Sequence, residues 1–188
     1  MQEDGFTLYR RFLDGDEKGL EALISLYQRG LLRFIYGYVY DLALAEDIMQ
    51  ETFISLYFHR SFKPQENASF KTYLYKIARN KSLNALKKRK RKKELSLESL
   101  VDTPSFLSYS PPDTAQDKER SAVLKNTLEK IKPEYKEALV LRYYDGLSPE
   151  QIGAVTGKNI KRVYNLLARG KTALKNALEK DGIRYEDL

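Results

Sequence analysis

Two stretches of the chain carry side chains that could do chemistry, and in both the chemistry is that of holding a polyanion. Residues 67–93, NASFKTYLYKIARNKSLNALKKRKRKK, set Phe70, Tyr73 and Tyr75 among lysines and arginines, contain no Asp or Glu, and end in an unbroken basic run. Further on, helical spacing puts Lys161, Arg162, Asn165 and Arg169 on one outward face. Their guanidinium, ammonium and amide groups can donate to phosphates and to base edges in a major groove. An ordinary solvated helix face is the plainer alternative. Covalent and metal chemistry find no residues to work with. There is no cysteine for a disulfide or thiolate site, and the one histidine, His59, leaves the common zinc constellations unavailable. His59 has no serine or cysteine partner nearby, and neither a P-loop nor an Asp-rich metal motif occurs. At a predicted helix end it reads as a solvent-facing or capping residue. No cofactor, metal or catalytic group is expected, and the chain does not read as an enzyme.

A length of 188 residues with 42% hydrophobic content suits one large domain or two small ones. The net charge of +7 suggests a polyanionic partner, although many basic proteins have none. Its distribution says more. Residues 1–93 hold 18 Lys and Arg against 11 Asp and Glu, residues 94–118 hold 1 against 5, and residues 119–188 hold 14 against 10. Two basic blocks therefore flank an acidic connector, ELSLESLVDTPSFLSYSPPDTAQDK, which is rich in Ser, Pro and Asp and has no sustained period. The domain boundary is expected there. Its apolar residues, Leu95, Leu97, Leu100, Val101, Phe106 and Leu107, exceed what a free spacer requires and leave open a course along a surface. The first residues carry acids where a signal peptide needs a basic start, and no apolar run approaches the ~18 residues of a membrane span. A cytoplasmic protein without membrane insertion is expected.

Both blocks read as helical. From Leu8 to Tyr40, Leu, Phe and Tyr recur three and four apart, with Gly15, Gly30 and Gly37 as interruptions, so two or three helices are expected. In LALAEDIMQETFISLYFHR, Ala45, Ile48, Met49, Thr52, Phe53, Leu56 and Tyr57 share a core face, and Glu46, Asp47, Gln50, Glu51 and Ser55 form the other. Pro64 breaks that helix, and Asn67 or Ser69 can cap the next. Phe70, Leu74, Ile77 and Ala78 share its inner face, Tyr73 is ambiguous, and Tyr75 is expected to lean outward. In the last block, Ser148 as N-cap, Pro149 at the first helical position and Gln151 three residues after the cap predict a capping box. Ile152 and Val155 point inward, Gly157 ends the short helix, and Asn159 caps a second whose stripe is Val163, Leu167 and Leu174. The unit is helix, tight turn, helix.

Three segments, AEDIMQETFISLY, FKTYLYKIARNKSLNALKKRKRK and IKPEYKEALVLRYYDGLSPEQIGAVTG, in that order around a linker, resemble the extracytoplasmic-function sigma factors. These are the small two-domain promoter-specificity subunits of bacterial RNA polymerase. The resemblance covers nearly the whole chain and implies an all-α protein: two small helical domains joined by a flexible acidic linker, the C-terminal one containing a helix-turn-helix. Region 2 would span residues 1–93, the linker 94–118, and region 4 residues 119–188. The implied function is to bind core RNA polymerase and direct promoter-specific initiation.

The resemblance also implies where contacts fall. The minus-ten element would be held as a melted non-template strand, with Ser61, Phe62, Lys63 and Asn67 in the loop that pockets a turned-out base. Asn80 would lie at the base of that pocket, with Lys76 and Arg79 beside the strand. Tyr75 is the stacking candidate, since aromatic rings hold single-stranded bases by ~1–3 kcal/mol each. The minus-thirty-five element would be read as duplex by Lys161, Arg162, Asn165 and Arg169. Lys171 and Lys175, and Lys87, Lys88 and Arg89 in the basic run, would meet phosphate. Glu46, Asp47, Gln50 and Glu51 would dock on the basic coiled coil of the largest polymerase subunit, charge complementarity speeding association and fixing register. Without the resemblance they are a solvated face. The flap would be the second polymerase contact, the linker would run toward the RNA exit path, an anti-sigma factor is an expected partner, and the free protein would be a monomer. The recognition helix departs from the family: RVYNLL stands where a series such as T-V-K-S-R-L is frequent, and Lys158 where an apolar residue is usual. A stand-alone helix-turn-helix regulator would leave the basic aromatic helix and the acidic ridge without a role, and a nucleic-acid-processing enzyme would lack its metal-binding carboxylates.

Overall fold

Asp4 begins the first helix, α1 (Gly5–Leu13), by accepting from the Thr7 amide at 2.7 Å. In this computed structural model, residues 4–59, 69–95, 123–124 and 126–183 are described. The chain reverses at Gly15, whose φ of 96° suits a residue without Cβ, and Asp16 caps α2 (Glu17–Val39) through the Lys18 amide. Arg11 holds the same carboxylate through Nε at 2.9 Å and its terminal nitrogen at 2.7 Å. That hydrogen bond keeps the Asp16 carboxyl below the usual aspartate value. Gly19 lets α1 and α2 close: a methyl there would come within 2.7 Å of the Leu8 carbonyl oxygen and 2.8 Å of the Phe12 nitrogen.

Of Gly15, Gly30 and Gly37, only Gly15 breaks a helix. Gly30 and Gly37 lie inside α2, where packing absorbs a helix penalty of about 1 kcal/mol each. Two helices result. Tyr40 ends α2 in the left-handed conformation, and Asp41 opens α3 (Leu42–His59) by accepting from the Leu44 amide. Ser69 then starts α4 (Phe70–Leu95), its hydroxyl accepting from the Thr72 amide at 3.2 Å.

The four helices share one core. Phe70 meets Tyr9 at 5.1 Å and Tyr27 at 5.7 Å between ring centroids, and Leu8, Phe12, Leu23, Ile35, Ile48, Leu56 and Leu74 fill the space around them. α3 and α4 pack with small residues buried on each, Ala45 and Thr52 on one, Ala78 and Ser82 on the other. The two hydroxyls are satisfied inside their own helices, Thr52 donating to the Ile48 oxygen and Ser82 to the Ala78 oxygen. Tyr57, expected on the core face of α3, is 40% exposed at the core's margin with its ring on Phe12.

A second compact unit lies within Ser105–Leu188, the first within Met1–Pro104. Pro133 occupies the first turn of α5 (Pro133–Leu139), which widens into a π-type turn over Val140–Tyr144, closed by the Asp145 amide on the Val140 oxygen. Buried Lys136 reaches back to Glu129, and burial pushes its pKa below the ordinary lysine value against the opposing pull of that carboxylate. The chain then turns through Gly146 into α6 (Pro149–Thr156) and, past Gly157, into α7 (Ile160–Lys180). Ser148 and Gln151 make both bonds of the capping box, at 3.2 and 2.8 Å. Among the described residues all regular structure is helical. The chain is all-α, in two helical units, the second built around a helix-turn-helix.

Candidate nucleic-acid and polymerase interfaces

The turn between α6 and α7 is tight because two residues permit it. Gly157 takes a φ of 71°, and a methyl on Gly153 would meet the Lys158 carbonyl oxygen at 2.8 Å. Asn159 then caps α7, accepting from the Arg162 amide at 2.9 Å. Val163, Leu166, Leu167, Gly170 and Leu178 are buried, so one side of α7 is committed to the core. Gly170 admits the Leu139 side chain of α5, which would lie 3.2 Å from a methyl placed there. The opposite side exposes Lys161, Arg162, Asn165 and Arg169 together, as the spacing predicts.

Partners inside the unit modify several of these cations. Arg162 lies 3.6 Å from Glu134 of α5, and Lys158, the residue standing where an apolar one is usual, lies 3.8 Å from Glu137 of the same helix. Glu137 thus supplies the charge that lets a lysine occupy a place only 18% exposed. Lys171 sits over the Tyr143 ring at 5.0 Å, and Lys175 is 3.8 Å from Glu179 one turn on. Tyr164, 55% exposed beside Asn165, is a large outward ring that the charge pattern does not reveal. Its only signal is its place one helical turn after Lys161.

In the first unit, α4 presents Lys76 and Asn80 to solvent, with Arg79 half-buried beside them. Tyr75 does not join them. It is 1% exposed, with its ring 4.8 Å from Phe34 of α2 and the Lys71 ammonium at 5.5 Å, so the expected outward stacking platform is a core residue. Tyr73, half-buried, is the aromatic of this helix nearer to solvent. Arg89 has a partner inside the unit. Half-buried, it donates to the Val39 carbonyl at 3.3 Å and so stabilises the C-terminal end of α2, where unpaired carbonyls carry the negative end of the helix dipole. Lys87, Lys88, Lys90 and Arg91 remain exposed. Ser61, Phe62, Lys63 and Asn67 lie outside the described residues.

α3 exposes Glu46, Asp47, Gln50 and Glu51 along one face, continued by Ile54 and Phe58, which are 54% and 73% exposed. The acidic ridge is therefore half of a surface whose other half is apolar. Within it Glu51 is bridged to Lys81 of α4 at 3.3 Å. Among the described residues no helix is long and apolar enough to cross a membrane, and no group of three or more His, Asp or Glu could hold a metal.

Residues 23–92 match the family described as Sigma-70 region 2, and residues 121–174 match Sigma-70, region 4. The chain belongs to the sigma-70 family. Within it the protein is an extracytoplasmic-function sigma factor, and as such a non-enzymatic initiation factor that partners RNA polymerase and DNA in promoter-specific transcription. Among curated sigma factors it is 29% identical to the RNA polymerase sigma-H factor of Pseudomonas aeruginosa over 185 residues, 95% of each chain. It is also 29% identical to the factor SigW of Bacillus subtilis over 173 residues, covering 87% of this chain and 91% of that one. Among solved structures, the fold resembles the sigma factor RpoE of Bartonella quintana, in complex with the anti-sigma factor NepR, with a TM-score of 0.66 at 23% identity over 86% of this chain and 98% of that one. CnrH in complex with the cytosolic domain of CnrY gives 0.65 at 19% identity, over 95% and 98% of the respective chains.

Proposed function

We propose that this sigma factor reads the minus-thirty-five element as duplex through α7 and holds the minus-ten element as a melted non-template strand through the outward face of α4. The observation that carries the reading is the division of α7. One side is locked into the unit by Val163, Leu166, Leu167 and Gly170, while Lys161, Arg162, Asn165 and Arg169 stand together on the other. A helix held this way behind a tight turn can enter a major groove, with amide and guanidinium groups reaching base edges. On α4, Lys76 and Asn80 are exposed and Arg79 is close by, which supplies cations and an amide for a single strand; the loop 61–67 would complete the pocket.

Docking on the coiled coil of the largest polymerase subunit would use Glu46, Asp47, Gln50 and Glu51, with Ile54 and Phe58 adding apolar area to the same face. The second unit would meet the flap. Region 2 would occupy residues 1–93 and region 4 residues 119–188, with the acidic segment 94–118 running toward the RNA exit path. The free protein would be a cytoplasmic monomer. An anti-sigma factor as a further partner is supported by one solved structure of similar fold, named as a sigma factor in complex with an anti-sigma factor. The test is reconstitution: the purified chain added to core RNA polymerase should start transcription at a promoter that core alone ignores, and a chain that bound such DNA without polymerase but never supported initiation would instead be a stand-alone regulator.

A further inference from the structure

The entry to the recognition helix is flanked by two carboxylates from another helix. Glu134 and Glu137 lie three residues apart on α5 and so share a face. Glu137 faces Lys158 and Glu134 faces Arg162, at 3.8 and 3.6 Å. The two pairs differ in setting. The side chains of Lys158 and Glu137 are 18% and 12% exposed, which makes that pair part of the fold, whereas those of Arg162 and Glu134 are 62% and 40% exposed. A pair that open to water contributes ~0–1 kcal/mol to stability, so holding the unit together is not what Glu134 adds.

We propose that Glu134 is a positioning residue that sharpens promoter discrimination by restraining Arg162; the inference rests on the reading of α7 as the helix that reads duplex DNA. At 3.6 Å the carboxylate attracts the guanidinium without taking a hydrogen bond from it, so the donors of the fork stay available for a base edge. An arginine without that restraint is a long side chain with many rotamers, able to reach phosphates on any sequence. Phosphate contacts add affinity everywhere and carry no sequence information, whereas base contacts specify. The restraint penalises DNA that does not offer Arg162 its base, and it bears less on DNA that does.

The experiment uses holoenzyme assembled from core RNA polymerase and the full chain, bound to duplex promoters with either the upstream element selected by the wild-type protein or a scrambled one, over a range of salt. Glu134→Gln should raise affinity for the scrambled duplex and lower the matched-to-scrambled ratio by about threefold to tenfold, part of the discrimination one bidentate arginine supplies. The salt slope on the scrambled duplex should steepen by about 0.9, one further phosphate contact. Added to Arg162→Ala, the Glu134→Gln change should have no further effect on the ratio. If Arg162→Ala relaxes the preference but Glu134→Gln leaves ratio and slope unchanged, the restraint is refuted while the reading of α7 stands. Loss of affinity for the matched element alone would make Glu134 a base reader and also overturn it. A preference untouched by Arg162→Ala would overturn both.

Discussion

The ring of Tyr75 rests on that of Phe34, with centroids 4.8 Å apart, and this contact ties α4 to α2 at the centre of the first unit. Tyr75 is thereby removed from the exposed side of α4 and is one of the largest fully buried side chains among the described residues. Tyr75→Ala should destabilise the first unit by about 3–5 kcal/mol, the range for emptying an aromatic site in a core. Tyr75→Phe keeps the ring and should cost less than about 1.5 kcal/mol. Thermal unfolding followed by circular dichroism distinguishes these. Equal stability for the alanine variant would return Tyr75 to the surface.

Asn80, on the exposed side of the same helix, should behave in the opposite way. Asn80→Ala should leave the melting temperature within the scatter of surface substitutions, about ±0.5 kcal/mol, yet form few open complexes on duplex promoter DNA. On a promoter with a pre-melted minus-ten bubble the deficit should shrink, because a few kcal/mol of unpairing cost is already removed. Permanganate reactivity of unpaired thymines on both templates reads the difference. Open complexes at wild-type level on the duplex would refute a role in strand holding.

For the docking face, Glu46 and Asp47 are cleaner targets than Glu51, whose carboxylate is bridged to Lys81. Reversing both to lysine should weaken binding to core RNA polymerase, mainly by slowing association, while the helical circular dichroism signal stays intact. Phe58→Ser should add to the loss, since it removes a ring that is 73% exposed in the free protein. Unchanged capture by core polymerase for all three substitutions would exclude this face.

In the second unit, Lys136 and Glu129 form a pair whose two ends respond differently. The lysine is buried, and burial lowers its pKa, so the folded state disfavours its charge. Glu129→Ala leaves that charge without its carboxylate and should cost about 1–3 kcal/mol. Lys136→Met removes the buried charge while Glu129, 28% exposed, can rehydrate, so stability should hold or rise. Because the folded pKa is lowered, the unfolded chain binds the proton more readily. Wild-type stability should therefore rise with pH just below 10.5 and level off above it, and Lys136→Met should lose this dependence. Urea midpoints measured against pH test both statements.

What the sequence determined by itself is whatever rests on neighbours a few residues apart. Ser148, Pro149, Gln151, Gly157 and Asn159 announce the helix-turn-helix because a capping box, a left-handed glycine and an N-cap each close within four residues. Val163 and Leu167 on the buried side of α7, the opening of α4 at Ser69 and the acidic face of α3 follow from local pattern in the same way, whereas Leu174, expected in the same stripe, is only half-buried. Tertiary structure decided how wide each buried arc is and which charges find partners. α4 touches α1, α2 and α3, so its buried arc extends past the face marked by Phe70, Leu74 and Ala78 to take in Tyr75, and period alone does not count neighbours. Arg89 meets Val39 across fifty residues, and Glu51 meets Lys81 across thirty. No local signal marks either pairing, because both exist only once the helices have packed. Gly30 and Gly37 make the same point from the other side: intrinsic propensity argues for a break, and burial of Leu31, Leu32, Phe34, Ile35 and Val39 carries the helix through both.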